Sequence, residues 1–269
     1  MTSALAEDAV AAYRANGFAY PFTAMSPEQA AHYRRKLEDF EAGYGERASQ
    51  ILRSKSHLVL TWANELIRLP ALLDVVESII GENIYCWGSS FFIKDPHHPG
   101  FIAWHQDAPF SSIPAGGEIL TAWIALAPST VENGALKVVG GTHTSQVEYK
   151  YVPGTGNMLS QGQEIAVEVN EDDATIMELK PGQFSLHHQF IFHGSAPSRS
   201  DERRIGFAVR YMRPFERPGG AGGDTATLVR GTDPYGTFAA EPAPAADMDP
   251  AAVAYLDEQL TRLHGDRYR

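Results

Sequence analysis

Cysteine is almost absent from this chain. Cys86 stands alone among 269 residues, so neither an internal disulfide nor a cysteine-rich metal cluster can form. Such usage fits a reducing compartment, and Cys86 reads as a small core residue. Positive charge is also scarce, with 22 Lys and Arg against 33 Asp and Glu and a net charge of −11. A field of that sign repels phosphate backbones and anionic lipid heads, which argues against nucleic-acid and membrane-surface partners. No apolar run approaches the ~20 residues of a spanning helix. The opening MTSALAEDAVAAYRANG carries acidic residues early and lacks the charged-then-apolar pattern of a secretory signal. Internal repeats, a P-loop and a GxGxxG opening a helix after a strand are all missing. The chain reads as soluble and cytoplasmic.

What is present is apolar mass, 43% of residues, ample for a buried core. All-β enzymes commonly spend ~200–250 residues on one domain, so a single domain over 1–269 is expected. It would comprise a helical layer over 1–82, a strand-rich core over 83–214 and a C-terminal strap and helix over 215–269.

Thr2 or Ser3 can cap a first helix that Gly17 ends. Ser26-Pro27, with Gln29 at the third helical position, forms a capping-box pattern for a second helix that Gly43 should stop. LTWANELIRL and PALLDVVESII continue the helical pattern, the latter between Pro70 and Gly81. From Ile84 the character changes. IYCWGSSFFIKD, EILTAWIALA, ALKVVGG, EIAVEV, FSLHHQFIF and IGFAVRYM are short, β-branched and aromatic, and separated by Gly, Pro, Asn or Asp. Asn133-Gly134 is a hairpin signal. Helices first and strands after, without βαβ alternation, predict a mainly β jelly roll with flanking helices. The stretches GTDPYGTF and EPAPAADMDP read as a surface strap before a last helix.

The informative histidine is His105 in WHQDAPF. At a strand end, an HxD pair puts two side chains of like parity on one side. With a distant histidine it would form the two-histidine, one-carboxylate facial triad of non-haem Fe(II) oxygenases, which leaves three coordination positions open. HxD alone is a weak signal. The distant strand offers His187, His188 and His193. By pleat parity His188 joins the apolar face of Phe184, Leu186, Phe190 and Phe192, whereas His187 and His193 fall on the polar side with Ser185 and Gln189. Arg204 lies eleven residues past His193 and shares a strand face with Gly206, Ala208 and Arg210. Small neighbours leave room beside a guanidinium for a carboxylate. On that strand alone, a surface arginine is the simpler reading.

In combination, His105-x-Asp107, WIAL followed by ENGALKVVGGTH, and HGSAPSRSDERR with Arg204 resemble the phytanoyl-CoA dioxygenase family of Fe(II)- and 2-oxoglutarate-dependent oxygenases, over roughly Gly17 to Pro214. The resemblance implies a double-stranded β-helix, cupin-like, with iron held by His105, Asp107 and His193. It implies that Arg204 grips the distal carboxylate of 2-oxoglutarate, with Ser195, Gln106, Trp123 and Thr121 lining the same cosubstrate. Fe²⁺, the Asp107 carboxylate and a dianionic 2-oxoglutarate leave one negative charge, which Arg204 balances. The implied reaction consumes O₂ and 2-oxoglutarate, releases succinate and CO₂, and hydroxylates a small-molecule substrate. Halogenating relatives replace the triad carboxylate with a small residue, and Asp107 is intact. The competing readings are a zinc hydrolase and a non-catalytic small-molecule binder on the same jelly roll. Neither needs a carboxylate clamp beside all three ligands.

The remaining candidates read simply. His97-His98 belongs to a polar loop, and His143, His32 and His57 are structural. Glu171 to Asp173 is a solvated turn, and Lys94 reads equally as a pocket or a surface residue. Arg210 lies six residues, about 20 Å of strand, beyond Arg204, and is expected to have a structural role. Substrate contacts are expected from His97 to Gly100 and Pro109 to Gly117. So acidic a chain shows no cationic groove for a CoA ester, which favours a small free metabolite.

Overall fold

Caps set the helices of the first third. In the computed structural model, which describes residues 7–107, 117–152, 154, 156–159, 162–216 and 223–264, α1 spans Glu7–Asn16 and Gly17 ends it with a positive φ. The Thr2 or Ser3 cap lies outside the described residues. After β1 (Phe18–Thr23), Ser26 caps α2 (Pro27–Tyr44) through a capping box with Gln29. That helix runs past Gly43 and stops at Gly45, whose φ of 54° no β-carbon hinders. Short α3 (Glu46–Leu52) and α4 (Thr61–Leu66) lead to α5 (Pro70–Ile80), which starts on proline and ends on Gly81.

Strands follow: β2 (Ile84–Lys94), β3 (Ile102–His105), β4 (Leu120–Ala125), β5 (Leu136–Val139), β6 (Tyr149–Tyr151) and β7 (Gln163–Ile165). Next come β8 (Ala174–Met177), β9 (Gln183–His188), β10 (Phe192–Ser195), β11 (Arg204–Met212), β12 (Thr225–Arg230) and β13 (Ala239–Ala240), before the closing helix α6 (Pro250–His264). Seven strands form one sheet in the order β1-β9-β4-β11-β2-β12-β13, and four form a second in the order β3-β10-β5-β8. Together they make the expected jelly roll, with helices against the larger sheet.

Side-chain alternation gives that sheet two different faces. Leu186, Ala122 and Val209 are paired across three neighbouring strands, as are Phe184, Ile124 and Phe207. These residues share one apolar core with Leu37, Trp62, Leu72 and Val76 of the helices. Full burial of each large side chain stabilises by about 1.5–3 kcal/mol. The residues between them face the other way, into the jelly roll. There His187, Thr121, Arg210 and Gly88 form one row across four strands, and Ser185, Trp123, Ala208 and Ser90 the next. The lower rows end in the Arg204–Lys94 pair.

Four expectations are corrected. FSLHHQFIF is two strands in different sheets, broken by a turn at Gln189 and Phe190, so pleat parity does not run from Phe184 to His193. Asn133-Gly134 closes no hairpin, because the flanking β4 and β5 lie in different sheets; Gly134, at φ 76°, instead turns the crossover. FAYPFT, between the first two helices, is the edge strand β1. The strap is not superficial: Thr227 is paired into the large sheet beside Cys86, and Glu241 is buried against Lys55 and His57.

Candidate active site

The small sheet puts His105 and His193 opposite each other on β3 and β10, their rings 3.9 Å apart. Each Nδ1 sits 3.0 Å from the carbonyl two residues earlier, of Ala103 and Ile191. A donating Nδ1–H at both leaves both Nε2 lone pairs pointing to a common point, the tautomer a metal requires. Burial pulls both imidazole pKa values down, keeping the rings neutral. Asp107, two residues beyond the end of β3, brings Oδ1 to 3.8 Å from His105 Nε2 and 3.7 Å from His193 Nε2. One ligand atom from each of the three lies within 4.8 Å of the others.

Asp107 reaches across to the large sheet. Thr121 Oγ1 donates to its Oδ2 at 2.9 Å, and His187 Nε2 stands 3.6 Å from the same oxygen. Burial would raise its pKa, but the contact with His187, the neighbouring His193 and the Arg210 charge outweigh this and hold the carboxyl well below its ordinary value. Neither ring nitrogen of buried His187 has a hydrogen-bond partner among the described residues. Thr121, expected at the cosubstrate, touches the carboxylate ligand.

Arg204 is 1% exposed. Its Nη1 donates to the Gly134 carbonyl and, at 2.9 Å, to Ser195 Oγ, while Nε and Nη2 are buried without partners. Lys94 is fully buried at its side and donates to the same Ser195 Oγ at 2.7 Å and to the Ala196 carbonyl. Burial, and then the charges of Arg204 and Lys137, lower the Lys94 ammonium to about 7; burial alone lowers Arg204 to about 10. Two buried cations thus meet on one hydroxyl, with no carboxylate of the described residues in ion-pair contact with either. The Trp123 ring lies 5.5 Å from the Arg204 guanidinium carbon. Its indole occupies the space over Gly206, where an added Cβ would fall 1.8 Å from Trp123 Cζ2. The room expected at Gly206 is therefore filled by the tryptophan.

Gln106 is not turned to this pocket. Its amide donates to the Ser145 and Phe190 carbonyls at 2.9 and 2.6 Å and accepts from the Val147 N–H at 2.9 Å, so it ties loops to the end of β3. His97 pairs with Asp201 on the surface and His57 is buried against Ser89 and Glu241. Pro109 to Gly116 lie outside the described residues.

Arg210 differs from expectation. It neither emerges at a far end nor meets a carboxylate among the described residues. It occupies the row of Thr121 and His187, the two residues beside Asp107, and its Nη1 donates to Ser90 Oγ at 3.1 Å.

A jelly roll whose interior carries two histidines, a carboxylate and, apart from them, a buried arginine is the scaffold of a non-haem iron oxygenase. A model of the phytanoyl-CoA dioxygenase (PhyH) family matches residues 2–206, and the chain belongs to that family. It is 28% identical over 201 residues to a probable alpha-ketoglutarate-dependent hypophosphite dioxygenase of Stutzerimonas stutzeri, covering 71% of this chain and 69% of that one. It is 30% identical to phytanoyl-CoA dioxygenase domain-containing protein 1 of Mus musculus, a match spanning 46% of this chain and 43% of the mouse protein. Among solved structures, the apo form of the non-heme monooxygenase ThoJ superimposes with a TM-score of 0.83 at 31% identity, covering 95% of this chain and 96% of that one. CytC3 with Fe(II) and alpha-ketoglutarate gives 0.63 at 26% identity, with 93% and 98% covered. The residues present fit both groups: neutral imidazoles and an ionised carboxylate suit Fe(II), and the unpartnered N–H groups of Arg204 beside Lys94 suit a dianionic 2-oxoglutarate. Fe(II) is the metal and 2-oxoglutarate the cosubstrate of this enzyme.

Proposed function

We propose that this protein hydroxylates a C–H bond of a small metabolite, consuming 2-oxoglutarate and O₂ and releasing succinate and CO₂. The observation that carries the reading is the convergence of His105, His193 and Asp107, three donors out of the six of an octahedron. His105, His193 and Asp107 would hold the metal. Arg204 would take the distal carboxylate of 2-oxoglutarate, with Ser195 and Lys94 beside it and Trp123 as a wall. The bound iron supplies O₂ activation coupled to oxidative decarboxylation of the cosubstrate. The chain's own part is orientation and exclusion of water: backbone carbonyls fix both imidazoles, Thr121 fixes the carboxylate, and burial keeps the arginine fork dry. Asp107 favours hydroxylation over halogenation, since it fills the position a halide would need.

The relatives' names support a small substrate: one is the hypophosphite dioxygenase, and another, 26% identical over 57% of this chain and 63% of that one, is the L-proline trans-4-hydroxylase of Streptomyces griseoviridis. The test is anaerobic addition of Fe(II) and 2-oxoglutarate, expected to give the weak visible charge-transfer band of the chelate, followed by a metabolite panel scored for succinate release. A zinc hydrolase or a plain binder gives neither.

A further inference from the structure

Two arginines face the interior from β11, and the pocket around Arg204 accounts for only one. Arg210 lies six residues along, about 20 Å of strand at the ordinary rise, too far for both to grip the same carboxylate. It stands level with the triad: across the sheet its row continues through Thr121, which bonds Asp107, to His187, 3.6 Å from that carboxylate. On its other side the row ends at Gly88, where an added Cβ meets no described atom within 4 Å. The space above Gly88 is thus free of described atoms, and Ser90 Oγ is the hydrogen-bond partner of the Arg210 guanidinium.

Charge points the same way. Fe²⁺, Asp107, a dianionic 2-oxoglutarate and Arg204 sum to neutrality, so Arg210 is a full positive charge in excess, before Lys94 is counted. Among the described residues no carboxylate pairs with Arg210. A half-buried guanidinium whose side-chain hydrogen-bond partner among the described residues is Ser90 alone has donors left to receive an oxyanion.

We propose that Arg210 anchors an anionic group of the primary substrate, a carboxylate or a phosphorus oxyanion, in the space over Gly88, so that the substrate is a small acid oxidised near its charged end. The inference rests on the proposed oxygenase reading. Its test uses the full chain with Fe(II) and 2-oxoglutarate. Free amino acids, simple carboxylates and alkylphosphonates, each beside its methyl ester or amide, are titrated anaerobically against the charge-transfer band and then scored for succinate release. Wild type should respond to acids and not to their esters or amides; the carboxylate and phosphonate arms identify which oxyanion is taken. Arg210→Gln should weaken the response by about 10- to 100-fold, and Arg210→Lys should recover part of it. Gly88→Val, which fills the adjoining space and leaves the arginine in place, should weaken it as well and covers the case in which Arg210→Gln fails to fold. Equal response to esters and acids, no response to any anion, or wild-type affinity in Arg210→Gln or in Gly88→Val would overturn the assignment. Absence of the band in wild type would remove the oxygenase reading, and this proposal with it.

Discussion

Each site residue acts through one contact that a substitution can remove. Asp107 is the only anionic member of the ligand set, and it is fixed by Thr121 at 2.9 Å. Asp107→Ala leaves two imidazoles and opens a fourth position, so substrate hydroxylation should be abolished even where metal is retained; wild-type turnover by that variant would remove the triad assignment. Arg204 offers Nε and Nη2 as a planar fork. Arg204→Lys keeps the charge and loses the fork, and the apparent KM for 2-oxoglutarate should rise about 10- to 100-fold. An unchanged KM would mean that Lys94 and Ser195 suffice.

At the scale of the element, β11 places both arginines, and what separates them is how its face is filled. Gly206 admits the Trp123 indole and Ala208 sits beside it in the Ser90 row. Gly206→Ala puts a methyl where the indole lies, so either the ring or the strand must shift, at about 1–3 kcal/mol. Thermal unfolding should show that loss together with weaker 2-oxoglutarate binding. In the double variant with Trp123→Ala, the stability cost should fall short of the sum of the single costs. Additive costs would show that the two residues are not coupled across the strand.

At the scale of the molecule, Glu241 joins the C-terminal strap to the helical layer. Its buried carboxylate accepts from Thr225 Oγ1 and Thr227 Oγ1, both at 2.7 Å, pairs with Lys55, and lies 3.3 Å from His57 Nε2. Removing it strands the Lys55 charge, so Glu241→Ala should lose about 3–5 kcal/mol, measured by urea unfolding at neutral pH. Burial raises the Glu241 pKa, but His57 and Lys55 outweigh it and bring the group down from 4.5 to about 2. A depressed carboxylate pKa contributes stability that is complete above the unfolded value and is lost as pH falls through the folded one. The gap between wild type and Glu241→Ala should therefore narrow from pH 4.5 downward toward pH 2. A constant gap across that window would separate Glu241 ionisation from stability.

The sequence by itself determined the capped helices and most of the long strands, because these depend on periodicity and caps that act locally; the choice of His193 over His187 and the role of Arg204 rested on the resemblance of the HxD, HGS and Arg204 pattern to a known family. Tertiary structure decided what depends on which strands become neighbours. The break at Gln189 and Phe190 sends His187 and His193 into different sheets and still brings their rings within 4.7 Å of each other. The pairing of β2 with β11 turns Lys94 from an ambiguous lysine into the companion of Arg204. The pairing of β4 with both β9 and β11 puts Arg210 in the row of Thr121 and His187, which no spacing along one strand reveals. Burial of Glu241 likewise follows from where the strap docks. Register across a sheet is set by burial of whole faces and by long connections, so these contacts exist only once the two sheets have closed on each other.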